Sequence, residues 1–236
     1  MILAAGLGTR LKPFTYNHPK ALAEINGKSL LQRNVEYLKS FGVNEIIVNV
    51  HHFASQISES IRKNNGWGTK ITISDETDEV LETGGGLIKA AWFFQNSDEP
   101  FVLLNVDILT DLDLGKMLAN HKSTKALATL AVSHRETSRY FLFDTNDLLS
   151  GWENIKTNQK IITRTELNLT RKAFSGLHII SPEIFKYITQ TGKFSMVDVY
   201  LELSKTHSIK GFDQGDCKFI DVGKPESIAE AEKLFS

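Results

Sequence analysis

The 236-residue sequence is short of the features that would place it outside ordinary globular enzymes. Cys217 is its only cysteine, which excludes an intrachain disulfide and a cysteine-rich metal site. Cysteine scarcity of this kind suits a reducing compartment. The formal net charge is -1, so no global field draws the chain to nucleic acid or to an acidic membrane surface. Any anion binding must therefore be local. No apolar run approaches the roughly 18 residues needed to cross a bilayer. The opening apolar residues lack a basic leader and run into Gly6 and Gly8 too soon for a signal peptide. A soluble cytoplasmic protein is expected, with neither nucleic acid nor membrane as a partner. No motif speaks to an oligomeric state.

What is present is a composition of 41% hydrophobic and 23% charged residues, enough to bury a sizeable core. Short apolar runs alternate with amphipathic stretches. Met1–Ala5 reads as a buried strand. Ser29 is an N-cap for a helix over Leu30–Phe41, whose apolar residues recur at helical spacing and which Gly42 stops. Strands are expected at Glu45–Val50, Lys70–Ser74, Phe101–Asn105 and Ala126–Ser133. Helices are expected at Phe53–Lys63, Gly86–Phe94 and Leu112–His121. Such alternation argues for a mostly parallel sheet covered on both faces. The second half reads as less regular. Strands are expected at Tyr140–Asp144, Gln159–Thr163, Phe174–Ile180, Ser208–Phe212 and Lys218–Ile220, and helices at Pro182–Ile188, Met196–Lys205 and Pro225–Phe235. With no linker or repeat, residues 1–236 are expected to form one α/β domain.

Chemistry concentrates first in Leu3-Ala4-Ala5-Gly6-Leu7-Gly8-Thr9-Arg10-Leu11, followed by Pro19-Lys20. Gly6 and Gly8 let the backbone approach a ligand, and successive N–H groups in such a turn can form an anion nest. Arg10 and Lys20 add positive charge suited to a triphosphate. The plain alternative is a tight strand-to-helix turn with two solvated cations. A lysine–serine/threonine pair does not follow the loop, so it is no P-loop, and the third glycine of the dinucleotide fingerprint is missing.

Asp107 ends the apolar strand FVLLN, and Asp221 follows Phe219-Ile220 in a similar strand-end position. Ligands of open α/β sheets gather at the carboxyl ends of strands. Two carboxylates there can hold Mg2+, a hard cation that takes oxygen ligands and keeps several waters. Each alone is also readable as a turn or cap aspartate, Asp221 more readily than Asp107. Three consecutive glycines, Gly84-Gly85-Gly86, are costly unless something must approach closely. His51-His52 point to opposite faces of an extended chain and make a poor metal pair.

The pattern LAAGLGTRLKPFT…HPKAL resembles the signature of the sugar-1-phosphate nucleotidyltransferase family. The resemblance runs along the whole chain through Leu81–Gly86, Asn105-Val106-Asp107, Phe174-Ser175-Gly176 and Phe219–Gly223. It is nearest to the N-acetylmuramic acid 1-phosphate uridylyltransferases. It implies the nucleotide-diphospho-sugar transferase fold, a Rossmann-like mixed, mainly parallel sheet with helices on both faces. Residues 1–135 would be mainly the nucleotide half and 136–236 mainly the sugar-phosphate half. Arg10, Lys20 and Asp107 would be catalytic, and Asp107 and Asp221 would hold Mg2+. Ala4, Ala5, Gly6, Gly8, Thr9, Arg10, Lys20, Glu82, Thr83, Gly84 and Asn105 would bind the nucleotide. Ser175 and Gly176 would floor the sugar site. Tyr140 stands where a small or acidic sugar contact is expected, a departure that bears on the sugar and not on the reaction class. The implied activity is transfer of UMP from UTP to N-acetylmuramic acid 1-phosphate. The alternatives are another hexose-1-phosphate transferase using UTP or GTP, or a non-catalytic sugar-nucleotide-sensing subunit, which would be expected to lose the arginine, lysine or carboxylates. A dinucleotide-dependent oxidoreductase is a third class, and it would predict protection by NAD rather than UTP.

Overall fold

A computed structural model describes residues 1–95, 97–165 and 168–236. In chain order the elements begin with β1 (Ile2–Leu3), β2 (Glu24–Ile25), β3 (Lys28–Ser29), α1 (Leu30–Ser40), β4 (Glu45–Val50), α2 (Ala54–Lys63) and β5 (Lys70–Asp75). They continue with α3 (Glu82–Lys89), β6 (Phe101–Asn105), β7 (Ile108–Thr110), α4 (Leu114–Thr124), β8 (Ala128–Ser133) and β9 (Arg139–Phe143). The remainder are β10 (Leu149–Asn154), β11 (Gln159–Ile162), β12 (Thr170–Ile180), α5 (Met196–Leu203), β13 (Ile209–Asp213), β14 (Phe219–Asp221) and α6 (Glu226–Leu234). The fold is α/β and Rossmann-like, built on a sheet of mixed strand direction. No helix among the described residues is long and apolar enough to cross a membrane.

The chain divides into two compact units that interleave in sequence. The first comprises Met1–Phe93, Leu104–Leu112 and Cys217–Ser236. Its strands β4, β5 and β1 are parallel, with Ile2 and Leu3 opposite Val48 and Asn49 on one side and opposite Leu104 and Asn105 on the other. Five of the six residues of β4 are buried, as a β-branched run covered on both faces should be. The Ser29 hydroxyl caps α1 by accepting from Gln32 N–H at 3.1 Å, and Leu30, Leu31, Val35 and Leu38 face inward. A second core gathers Leu11, Ala23, Ile25, Leu30, Leu109, Ile220, Val222 and Ala231, so the last helix seals the segment after β1.

The second unit comprises Phe94–Leu103 and Asp113–Asp216. There β11, β10, β9, β12 and β8 pair antiparallel in that order, and β13 adds parallel to β8. Every residue of β8 is buried. His178 on β12 and Tyr200 on α5 meet inside this core, with the imidazole Nδ1 2.6 Å from the phenol oxygen.

Several boundaries differ from expectation for identifiable reasons. The helix expected from Gly86 begins at Glu82, so all three glycines lie inside α3 and a separate 3-10 turn covers Ala91–Phe94. The helix expected from Leu112 begins at Leu114 because Asp113 caps it, accepting from Lys116 N–H. Pro182–Lys186 is a 3-10 turn. The strand β10 was not expected at all. Its sequence, Leu-Ser-Gly-Trp-Glu-Asn, has weak strand propensity, and pairing to both β9 and β11 forms it instead. A bulge falls between Leu149 and Gly151, and a Cβ at Gly151 would collide with the Ile161 carbonyl. Gly176 likewise sits where the β12–β8 register shifts, with φ of 71°.

Candidate functional site

The first unit collects most of the residues singled out in the sequence. As β1 ends, Ala4 N–H donates to Asn49 Oδ1 at 2.7 Å, and Ala4 and Ala5 stay buried. Gly6 is exposed with open space where a side chain would be. Gly8 adopts φ of 62°, and a Cβ there would stand 2.9 Å from Thr15 Cγ2 and 3.1 Å from Lys20 Cβ. Only glycine meets both demands. Its carbonyl accepts from the Thr15 hydroxyl at 3.0 Å and from Leu11 N–H at 2.9 Å, which closes the turn. Thr9–Leu11 form a 3-10 turn in which Leu11 plugs the core, leaving Thr9 and Arg10 exposed.

Lys20 opens another 3-10 turn, anchored by buried Ala21, and its Nζ donates to Asp107 Oδ2. The side chains are only 11% and 19% exposed, so this ion pair is held largely out of water. Asn105, at the end of β6, lies level with Leu3, and Val106 N–H donates to the Leu3 carbonyl at 3.0 Å. Buried Asn34 on α1 donates through Nδ2 to the Val106 carbonyl at 2.8 Å, which fixes the turn that presents Asp107.

Asp221 arrives on a neighbouring strand. β14 pairs antiparallel with β7, placing Asp221 opposite Ile108, and Val222 N–H donates to the Asp107 carbonyl at 2.8 Å. Leu109, Ile220 and Val222 belong to the core that also holds Leu11, so burial of those apolar residues brings both strand ends to the glycine loop. A Cβ on Gly223 would stand 2.6 Å from Asp221 Oδ1 and 2.9 Å from a terminal nitrogen of Arg10. Arg10 and Asp221 thus flank a position that accepts a side chain only if one of them moves.

The α3 segment also lies in this unit. Glu82 has φ of 58°, and Thr83 and Gly84 follow in the first turn. Gly84, Gly85 and Gly86 are buried. Three glycines inside a helix cost roughly 1 kcal/mol each relative to alanine, so close packing must offset them. At Gly86 the reason is visible: an added Cβ would be 2.7 Å from Glu76 Oε1 and 2.8 Å from Asn49 Nδ2.

Tyr140, Ser175 and Gly176 belong to the second unit. The Tyr140 hydroxyl accepts from Thr137 N–H at 2.9 Å, and the Arg171 guanidinium lies 5.9 Å from its ring centre. Arg171 itself pairs with Glu153. Ser175 is 2% exposed, and its hydroxyl has no hydrogen-bond partner among the described residues. His51 Nδ1 lies 2.6 Å from the Glu76 carbonyl oxygen, whereas the His52 ring packs at a tilt of 50° against Phe53. Cys217 touches Thr110 Oγ1 at 3.7 Å.

Sequence reading missed Asn34, Asn49, Glu76 and the steric role of Gly223. A polar residue inside the otherwise apolar strand EIIVNV was a usable signal for Asn49, because a buried amide needs partners. Glu76 offered none.

The donor set suits magnesium. Among the described residues no group of three or more His, Cys, Asp or Glu is arranged to hold a metal. Mg2+ does not require one, since one or two carboxylates completed by substrate phosphates and water are its usual ligands. Asp107 and Asp221, on adjacent strand ends, meet that description.

An α/β chain with a pinned glycine loop, two cations and two strand-end carboxylates has the equipment of a phosphate-handling enzyme. The chain belongs to the nucleotidyl transferase family, whose model matches residues 1–235. It is 31% identical to the UTP–glucose-1-phosphate uridylyltransferase of Synechocystis over 95% of this chain and 60% of that protein. It is 28% identical to the N-acetylmuramate alpha-1-phosphate uridylyltransferase of Caulobacter vibrioides over 98% of this chain and 94% of the relative. The chain therefore spans about three fifths of the cyanobacterial relative and nearly all of the Caulobacter one. Among solved structures, HddC from Yersinia pseudotuberculosis complexed with GMP-PN superposes with a TM-score of 0.78 at 28% identity, over 100% of this chain and 98% of that one.

Proposed function

We propose that the protein transfers a nucleoside monophosphate from a nucleoside triphosphate to a sugar 1-phosphate and releases pyrophosphate, with UTP and N-acetylmuramic acid 1-phosphate as the substrates. The observation that carries the reaction class is the meeting of Lys20 with Asp107 beside the Asp107–Val222 backbone bond. The near-complete span of the Caulobacter uridylyltransferase supports the choice of base and sugar.

The chemistry asks little of the protein beyond positioning and charge. The attacking phosphate oxygen is already ionised at neutral pH, so no general base is needed. It forms a bond to the α-phosphorus as the bond to the pyrophosphate oxygen breaks, and both products leave as anions. Two polyanions must be held together, which costs electrostatic repulsion unless fixed positive charge offsets it. The nest at Gly6–Thr9 would receive the triphosphate, Arg10 the departing pyrophosphate and Lys20 the α-phosphate. Asp107 and Asp221 would hold Mg2+, which, when bound, neutralises phosphate charge and polarises the α-phosphate. Lys20 would give up its bond to Asp107 for phosphate when substrate arrives, the ion pair keeping both groups oriented beforehand. Glu82, Thr83, Gly84 and Asn105 would border the nucleoside. Tyr140, Ser175 and Gly176 would border the sugar, and the unpartnered Ser175 hydroxyl suits a sugar hydroxyl or amide.

A second choice of base, GTP with a hexose 1-phosphate as acceptor, draws support for its base from the HddC structure, which is complexed with GMP-PN. Crossing four nucleoside triphosphates with several sugar 1-phosphates in a pyrophosphate-release assay separates the two readings. Turnover with no pair, at saturating Mg2+, would overturn the enzyme reading in favour of a sensing role.

A further inference from the structure

The chemistry above gives no part to Glu76, although its side chain is 0% exposed. Its Oε1 accepts from Asn49 Nδ2 at 2.7 Å, while Oε2 has no hydrogen-bond partner among the described residues. Asn49 uses its other end to accept from Ala4 N–H, where β1 gives way to the glycine loop. On the opposite side the pair rests against Gly86, where a Cβ would intrude on both of them. The backbone holds Glu76 in turn, its N–H donating to the Val50 carbonyl at 2.8 Å. One buried carboxyl group thus touches, directly or through a single amide, both the root of the glycine loop and the body of α3.

We propose that Glu76 is a positioning residue for the nucleotide. Through Asn49 and Gly86 it locks the start of the glycine loop and the helix bearing Glu82, Thr83 and Gly84 into one clamp. This rests on the transferase reading above. Burial raises the pKa of the carboxyl, against lesser lowering by the hydrogen bond from Asn49. The third glycine of LETGGG is then explained by the pair it packs on.

The test compares wild type with Glu76→Gln, Glu76→Ala and Gly86→Ala in pyrophosphate release, varying UTP at saturating sugar phosphate and then the reverse, with folding checked by circular dichroism. Glu76→Ala and Gly86→Ala are expected to raise KM for UTP about tenfold while KM for the sugar phosphate and kcat stay within about twofold. Glu76→Gln, isosteric and uncharged, restores KM for UTP to near the wild-type value. Equal rises in both KM values, a loss confined to kcat, or unfolding of both alanine variants overturns the role. Failure of the transferase reading would be distinguishable, because wild type itself would release no pyrophosphate. In that case thermal stabilisation by UTP reads the clamp directly. Stabilisation of wild type and Glu76→Gln but not of Glu76→Ala supports it, and equal stabilisation of all three overturns it.

Discussion

Adding one methyl group at Gly223 should damage the site while sparing the fold. Gly223 does not sit in the left-handed region, so alanine meets no backbone strain there. The added Cβ would stand 2.6 Å from Asp221 Oδ1, short of ordinary contact at 3.4 Å by about 0.8 Å, and 2.9 Å from an Arg10 nitrogen. Arg10 is exposed and can swing aside, but Gly223 is buried against Asp221, so overpacking should cost about 1–3 kcal/mol of stability, which a folded domain withstands. Relief comes only by moving a proposed metal ligand or the proposed pyrophosphate cation. A misplacement approaching 1 Å at a reacting centre can cost about 100-fold, so Gly223→Ala should lower kcat/KM by about 10- to 100-fold. That corresponds to about 1.4–2.7 kcal/mol of barrier. Steady-state pyrophosphate release gives kcat/KM, and urea unfolding gives stability. Activity within twofold of wild type would refute the assignment of Arg10 and Asp221 to the site.

Three further outcomes are expected. His178 is buried and its pKa is pushed down from 6.5 to about 3, chiefly by desolvation, so it stays neutral in the fold while the unfolded chain takes up a proton below 6.5. Its contribution leaves stability unchanged above that pH and subtracts from it as the pH falls, by about 2 kcal/mol at pH 5. Urea midpoints at pH 7 and pH 5 should show that loss in wild type and a smaller one in His178→Gln; identical pH dependence would contradict the placement of His178. Ser29→Ala removes the α1 cap and should cost about 1 kcal/mol by denaturant unfolding without changing KM values. Lys20→Met should lower kcat by about 100- to 1,000-fold, by analogy with losing one preorganised donor to a developing anion; a change under tenfold in single-turnover rates would argue against its place on the α-phosphate.

The parts of the fold that were legible in the sequence are those whose local signals agree with tertiary packing. Strand β4 and helix α1 appear where β-branched burial, the Ser29 cap and the Gly42 stop predict them. Asp107 and Asp221 could be read as strand-end carboxylates because each follows an apolar run. Strand β10 was illegible because its own residues argue against it and its neighbours impose it. The glycines of α3 were legible only in part. Their cost signalled a close approach, and only the buried Asn49–Glu76 pair, supplied by distant segments, shows what approaches Gly86. Gly223 was visible as a residue, but its meaning required the positions of Arg10 and Asp221.

The central claim is that Asp107 serves a nucleotidyl transfer to a sugar 1-phosphate. Pyrophosphate release from UTP and N-acetylmuramic acid 1-phosphate, with Mg2+, should be measured for wild type and Asp107→Ala, with circular dichroism confirming that both are folded. Robust release by wild type and none by Asp107→Ala is the predicted result. Near-normal release by folded Asp107→Ala would contradict it.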